Sequence, residues 1–194
     1  MQPMTPNTDK LKGEALALLS IIKTEAVFRP FDDDDGEDDE GYFSKREKLE
    51  TILNVLDTRM YEIGSGSFKT AFALPSYRLV VKYIDSEDDD EIGNYNEAPK
   101  CVSGWLMPIL AHTSAVQIQE LLDEDNSIEC DECDECTLRE FDFPDLHRGK
   151  NHLHDKQTQE PRIYDYGRPD QWIPESEEGE TNLRMYTEKE REAA

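Results

Sequence analysis

Apolar positions near the N-terminus recur at the spacing of amphipathic helices. In residues 8–28 they include Leu11, Leu18 and Ile22, which fall on one helical face. In residues 44–57 a serine is followed three positions later by a glutamate, the pattern of an N-terminal capping box. The sequence therefore predicts two helices that each bury one apolar face. The first could instead dock against a partner protein.

The pattern changes to short strands after residue 57. Residues 60–63 and 70–74 alternate between apolar and polar positions. Residues 79–84 form an apolar run that contains one lysine, Lys82. A lysine within a buried strand needs an anion close by. The alternative is an edge-strand lysine that points into water.

The remaining pattern is weaker. It predicts a short helix from Asn94, a buried strand within 105–110 and a helix over 113–123. Two short strands are expected at 152–154 and 162–164. The last residues, from Arg168 on, are polar and carry another acidic cluster at 175–180.

Composition limits the partners of this chain. Its 194 residues carry a formal net charge of −24, with 36% hydrophobic and 34% charged residues. Such a field repels nucleic acid, phosphates and anionic membranes. Eight of the nine residues in 32–40 are acidic, which predicts a solvated linker. A calcium site and mimicry of a nucleic-acid backbone are weaker interpretations of that run.

The four cysteines suit a reducing compartment. Three of them, Cys130, Cys133 and Cys136, crowd into seven residues, which is poor material for a disulfide framework. They could instead bind zinc or an iron–sulfur cluster with a nearby histidine. No run of eighteen apolar residues and no basic-then-apolar leader is present, so we expect a cytoplasmic protein without a membrane span.

Two groups of polar residues have the chemistry of a nucleotide site. The Gly-Ser-Gly turn at 64–66 lets the backbone approach phosphate oxygens, and Lys82 follows on the third strand. Farther along, Asp145, Asn151 and Asp165 surround the two last predicted strands. Two acids and an amide supply the oxygen ligands that a hard divalent ion prefers.

In this order the motifs resemble the protein-kinase-like superfamily. The Asp145-Leu-His segment is more similar to the aminoglycoside-phosphotransferase and atypical-kinase branch, and the short chain resembles small kinase-like proteins of bacteriophages. The resemblance covers residues 60–167. It implies an α+β fold with a kinase-like N-lobe, made of an antiparallel sheet plus a helix, and a reduced, mostly helical C-lobe. The N-terminal helices precede it.

The resemblance implies ATP and Mg²⁺ as cofactors and phosphoryl transfer to an alcohol group, with a host protein as one acceptor. Asp145 would accept the proton of the attacking hydroxyl, and Asn151 and Asp165 would hold magnesium. Lys82 would pair with the α- and β-phosphates. Glu97 would orient Lys82, with Glu91 a weaker candidate for that role.

The remaining roles concern contacts with the nucleotide. The hinge against adenine would include Met107 and Leu110. The phosphates would be covered by Gly64, Ser65, Gly66 and Ser67.

Three departures from the family pattern bear on catalysis. Lys69 replaces the third glycine of the loop, and the spacing from Asp145 to Asn151 is one residue longer than usual, so that Lys150 is either an insertion or occupies the ligand position. Few residues follow Gly167, which implies a minimal C-lobe. The alternative function is therefore a catalytically weak or inactive kinase-like acidic protein that grips a basic partner.

These expectations divide the chain into four parts. Residues 1–57 would hold the N-terminal helices, with an acidic linker at 30–42. The kinase-like N-lobe would span 58–112 and the reduced C-lobe 113–170. An acidic tail would occupy 171–194.

Overall fold

A computed structural model gives the fold of most of the chain. Within that part, no helix combines the length and the apolar character that crossing a membrane requires. The structure describes residues 6–25, 39–65, 69–84, 91–122, 127–129, 137–143, 152–155, 160–165 and 172–193.

The chain divides into two compact units. Unit 1 comprises Met1–Ser86 and Pro108–Leu121, and unit 2 comprises Glu87–Met107 and Leu122–Ala194. Each unit therefore combines two separate segments of the sequence, and each has its own hydrophobic core.

Unit 1 consists of two helices and a five-stranded antiparallel sheet. The strands are hydrogen-bonded in the order β1-β2-β3-β5-β4. The elements are α1 (Pro6–Glu25), α2 (Asp39–Leu56), β1 (Tyr61–Ser65), β2 (Lys69–Leu74), β3 (Leu79–Ile84), β4 (Ile109–His112) and β5 (Val116–Glu120).

The core of unit 1 lies on one face of this sheet. Phe72, Val81 and Ile118 are cross-strand neighbours on β2, β3 and β5, and all three are fully buried. They share one cluster with Leu18 and Ile22 of α1. The apolar helical face predicted from the sequence is therefore confirmed, and we call the sheet face that packs in this cluster the helix side.

A buried carboxylate joins the end of α2 to the β2–β3 turn. Asp57 accepts hydrogen bonds from the backbone N–H of Ser76 at 2.7 Å, from its hydroxyl at 2.8 Å and from the N–H of Arg59 at 3.0 Å. Burial alone would raise the pKa of Asp57. The two backbone donors, the hydroxyl and the Arg59 guanidinium outweigh burial, so the pKa is lowered.

Unit 2 combines short strands with helices. Its three strands pair antiparallel in the order β6-β7-β8. The elements are α3 (Glu91–Glu97), α4 (Lys100–Ser103), β6 (Ser127–Glu129), a 3-10 helix (Thr137–Phe141), β7 (His152–Asp155), β8 (Pro161–Ile163) and α5 (Glu177–Ala193).

Aromatic side chains dominate the core of unit 2. The ring of Phe141 lies 5.6 Å from that of Phe143 and 5.7 Å from that of Tyr186 on α5. Gly179 of α5 passes so close to Phe141 that a Cβ there would lie 2.5 Å from the Phe141 carbonyl oxygen. The Asn182 side chain donates to the carbonyl of Glu140 at 2.8 Å. The last helix is thus fixed directly against the segment that ends at residue 143.

Most of the predicted elements are confirmed, and the coarse α+β class with them. The two N-terminal helices, the first three strands, the short helix near Asn94 and the strands at 152–154 and 162–164 are all present within a few residues. The strand predicted within 105–110 is shorter and later, as β4.

One predicted element is wrong, and one helix was not predicted. The helix predicted over 113–123 is wrong, because Val116 and Ile118 alternate with two glutamines in β5. The predicted acidic tail contains α5. β5 lies in unit 1 and residues 87–107 lie in unit 2, while the assignment of lobes stays a prediction.

Candidate functional site

Lys82 lies on the sheet face opposite the helix side. Its neighbours along β3, Val81 and Tyr83, belong to the helix-side core. Because successive side chains of a strand point to opposite faces, the Lys82 side chain leaves the sheet on the other side. It is only 4% exposed. The edge-strand interpretation is therefore wrong, since β3 is the central strand.

One cross-strand row runs through Lys82 over all five strands. Its members in spatial order are Gly64, Ala71, Lys82, Gln117 and His112, and we call it the Lys82 row. Gly64 and His112, at the two ends of the row, are exposed, and Ala71 is half-buried. Lys82 and Gln117 are buried. At Gly64 a Cβ would meet no atom within 4 Å, so the space above that end is open.

The row combines a cationic side chain with a neutral amide. On one side of Lys82 the row holds only the small residues Ala71 and Gly64. On the other side lies the Gln117 amide, 1% exposed, whose Oε1 has no hydrogen-bond partner among the described residues. A positive donor and a neutral acceptor are thus adjacent on one face. Gln117 was missed because its segment was predicted to be helical; the alternation of glutamine with β-branched residues was the available signal.

The rest of the predicted phosphate loop is only partly described. The Ser65 hydroxyl lies 3.0 Å from that of Thr70, and Thr70 pairs with Tyr83 on the helix side. The side chain of Ser65 therefore faces away from Lys82, while Gly64 lies in the same row as Lys82. Gly66 and Ser67 lie outside the described residues, and their contact with phosphates stays a prediction.

The two candidate carboxylates for orienting Lys82 differ in burial. Glu97 is the last residue of α3 and is exposed, whereas Glu91 is the first residue of that helix and is fully buried. A buried carboxylate needs a cation or hydrogen-bond donors. Burial does not decide between them, and the pairing of either carboxylate with Lys82 stays a prediction.

The predicted hinge residues fall in different units. Leu110 packs in the helix-side core of unit 1, which places it on the face away from Lys82. Met107 belongs to unit 2, where its backbone N–H donates to the carbonyl of Ile163 at 2.7 Å. Contact with a nucleotide stays a prediction for both residues.

Asp165 follows strand β8 in unit 2. The preceding Ile163 pairs with His152 of β7 on one side and bonds through its own N–H and C=O to residues 105 and 107 on the other. This double pairing fixes the backbone just before Asp165, which is half-buried. The proposed base Asp145 and ligand Asn151 lie outside the described residues.

The other candidate ligands give no metal site in the described part of the chain. No group of three or more histidine, cysteine or acidic side chains is arranged there to hold an ion. The three clustered cysteines lie outside the described residues. His152 and His154, interpreted as possible surface residues, are instead buried side by side in unit 2, with ring centroids 5.5 Å apart.

Comparison with known proteins gives no match to a family model, to a curated protein or to a solved structure. The resemblance to kinase-like proteins therefore rests on the motifs in this sequence, and the activity that it implies is a proposal.

Proposed function

We propose that this protein binds Mg-ATP through the Lys82 row and transfers a phosphoryl group to an alcohol acceptor. The observation that carries the proposal is the position of Lys82, buried to 4% exposure on the face of a sheet that the core does not use. A buried lysine requires anionic or hydrogen-bonding partners, and we propose that phosphate oxygens of the ligand are among them.

The order of elements in unit 1 supports a kinase-like N-lobe. A five-stranded antiparallel sheet carries a glycine-containing connection between its first two strands and a lysine on its third. This is the arrangement that the resemblance implies, in which the loop covers the phosphates and the lysine pairs with them. The row places Gly64 two strands away from Lys82 on the same face.

The chemistry assigned to the other residues follows from the resemblance. Mg²⁺, when bound, would neutralise charge on the β- and γ-phosphates, with Asp165 and Asn151 as the residues that hold it. Asp145 would accept the proton of the attacking hydroxyl. Local neutralisation is essential here, because a net charge of −24 repels free ATP.

The proposal is tested by the thermal stabilisation that Mg-ATP produces. Ligand at a hundred times its Kd stabilises the folded state by about 2.7 kcal/mol. We expect wild type to show this shift and Lys82→Met to lose it. Lys48→Met is the matched control, because it removes the same charge from an exposed site on α2. No shift in wild type at millimolar Mg-ATP, or an undiminished shift in Lys82→Met, would refute the proposal.

Transfer is tested separately from binding. With labelled ATP, we expect Asp145→Asn to bind Mg-ATP as wild type does and to lose phosphoryl transfer. Asp165→Ala should lose the magnesium dependence of binding. Binding without any transfer in wild type would favour the alternative function.

That alternative is a non-catalytic protein that grips a basic partner. The observation in its favour is the net charge of −24, to which the exposed acids of the first turn of α5 contribute. It predicts capture of a basic protein that weakens between low and high salt, because such contacts are screened. Salt-sensitive capture that persists in Lys82→Met would separate this function from nucleotide binding.

A further inference from the structure

Gln117 is a polar side chain in a position where the fold needs none. It is 1% exposed, and its neighbours along β5, Val116 and Ile118, point to the helix-side core. Its Oε1 is buried and has no hydrogen-bond partner in the part of the chain that the structure describes. A buried carbonyl without a donor destabilises a protein, so packing alone does not account for a glutamine here.

The register sets Gln117 directly beside Lys82. The two residues are paired across β3 and β5, so their side chains stand next to each other on the same face. The continuation of the row beyond Gln117 is the exposed His112, and beyond Lys82 it is the small Ala71. Any ligand seated on Lys82 from the open end of the row is therefore within one strand spacing of the Gln117 amide.

Lys82 and Gln117 need different hydrogen-bonding partners. An ammonium group has three donors and no acceptor, so Lys82 suits the oxygens of a phosphate. The Oε1 of Gln117 is an acceptor, and ionised phosphate oxygens are acceptors as well, so the two do not pair. The ligand that satisfies both must carry an anion and, close to it, a neutral N–H or O–H donor. Nucleotides have this combination, and inorganic polyphosphates do not.

We propose that Gln117 accepts a hydrogen bond from the nucleoside part of the ligand whose phosphates Lys82 binds. Gln117 is then the residue that distinguishes a nucleotide from a bare polyphosphate. This inference rests on the proposed function, because it needs a nucleotide on the Lys82 row. It goes further because it assigns selectivity for nucleotides over polyphosphate to Gln117, which is not part of the kinase-like motifs.

The test compares two ligands on three variants by calorimetry. The ligands are Mg-ATP and Mg-tripolyphosphate, and the variants are Gln117→Leu, Lys82→Met and, as a control on the opposite face of β5, Ile118→Val. We expect Gln117→Leu to weaken ATP about tenfold, as the loss of one hydrogen bond would, and to leave tripolyphosphate unchanged. Lys82→Met should weaken both ligands. Ile118→Val should leave the ratio of the two dissociation constants as in wild type.

The melting temperature without ligand separates a binding role from a structural one. Because Gln117→Leu removes a buried acceptor without a donor, we expect the ligand-free protein to melt at the same temperature or higher. A lower melting temperature with an unchanged ratio of the two dissociation constants would mean that Gln117 is structural, and would overturn the inference. Equal weakening of both ligands, or tighter binding of tripolyphosphate than of ATP by wild type, would also overturn it.

Two analogues identify the donor and keep the two proposals apart. Deoxy-ATP lacks the 2′-hydroxyl and inosine triphosphate lacks the 6-amine; the analogue whose affinity no longer depends on Gln117 identifies the group that donates. If wild type binds ATP and Gln117→Leu binds it equally well, the inference fails while the proposed function stands. If wild type binds neither ATP nor tripolyphosphate, the proposed function itself fails.

Discussion

The two units hold distant parts of the chain together in different ways. In unit 1 the neighbouring strands β1, β2 and β3 follow one another in sequence, and one core on the helix side, mostly aliphatic with Phe72 and Tyr83, packs on the sheet. In unit 2 the core collects aliphatic and aromatic residues from several separate stretches, of which α5 is the last. The first arrangement depends on local periodicity and the second on long-range contacts.

The polar connections of the two units differ in charge. In unit 1 an ionised Asp57 joins α2 to the turn before β3. In unit 2 the corresponding connections are neutral: Asn182 donates to the carbonyl of Glu140, and the Trp172 indole donates to the carbonyl of Asn94. Among these described connections, only the one in unit 1 should respond to pH.

The largest expected effect is therefore that of Asp57→Asn. Loss of the charged acceptor should lower the stability of unit 1 by about 2 kcal/mol at pH 7. The pKa of Asp57 is lowered from its ordinary value of 3.8. The wild-type advantage is then fully present above that value and is lost as the pH falls through the folded-state pKa. Hydrogen exchange of the β2–β3 turn in both proteins, at neutral and acidic pH, measures the difference.

Two controls test whether the pH dependence comes from the Asp57 carboxylate. Ser76→Ala removes one donor but leaves Asp57 its backbone partners, so it should cost less and keep the pH dependence. Both tryptophans of the sequence, Trp105 and Trp172, lie in unit 2, so their fluorescence reports on that unit. A pH-independent difference between wild type and Asp57→Asn would contradict the assignment of the charge.

The same contrast explains what could be predicted from the sequence. In unit 1, α1 has apolar positions with a helical period and β3 is a continuous apolar run, and both were predicted within a few residues. β5 was missed because its alternating stretch is short and was interpreted with a helical period. α5 was missed because its sequence is mostly polar, and only tertiary contacts such as Gly179 against Phe141 give it a fixed place.

In the candidate site, too, local motifs were predictable and long-range pairing was not. Motif order identified Gly64 and Lys82, which the structure places in one row. The motifs did not show that Glu97 is exposed and Glu91 is buried. Gln117 belongs to none of the motifs identified in the sequence. Its position next to Lys82 depends on the pairing of β3 with β5, which joins residues far apart in the sequence.

Glycine-to-alanine substitution in a helix should have a smaller effect on stability, with opposite sign in the two units. Gly13 in α1 is exposed, and a Cβ there would meet nothing within 4 Å, so Gly13→Ala should stabilise unit 1 by about 0.5–1 kcal/mol. Gly179→Ala gains the same helix propensity but forces a Cβ against the Phe141 carbonyl, so it should destabilise unit 2 by about 1 kcal/mol net. Hydrogen exchange of α1 and tryptophan fluorescence, respectively, follow the two changes. Stabilisation by Gly179→Ala would show that α5 can move away from Phe141 at no loss.

The smallest effect concerns the two described non-glycine residues with a positive φ, one in each unit. Arg78 in the β2–β3 turn has φ 56°, and Asp142 at the end of the 3-10 helix has φ 49°. Aspartate tolerates this conformation better than arginine does, because its short polar side chain can hydrogen-bond locally. Arg78→Gly should relieve strain while losing only an exposed ion pair with Glu120 at 2.9 Å, a net gain of about 0.5 kcal/mol. Asp142→Gly should change the stability of unit 2 by less than that.

Arg78→Ala separates the two contributions to this last effect. It loses the ion pair and keeps the left-handed backbone, so it should be slightly less stable than wild type, whereas Arg78→Gly should be slightly more stable. The backbone bond from the Leu121 N–H to the Arg78 carbonyl, 2.8 Å long, is available to all three proteins. Equal stability of the alanine and glycine variants by chemical denaturation would show that the turn imposes no conformational strain at Arg78. The ion pair with Glu120 would then account for the whole contribution of that side chain to unit 1.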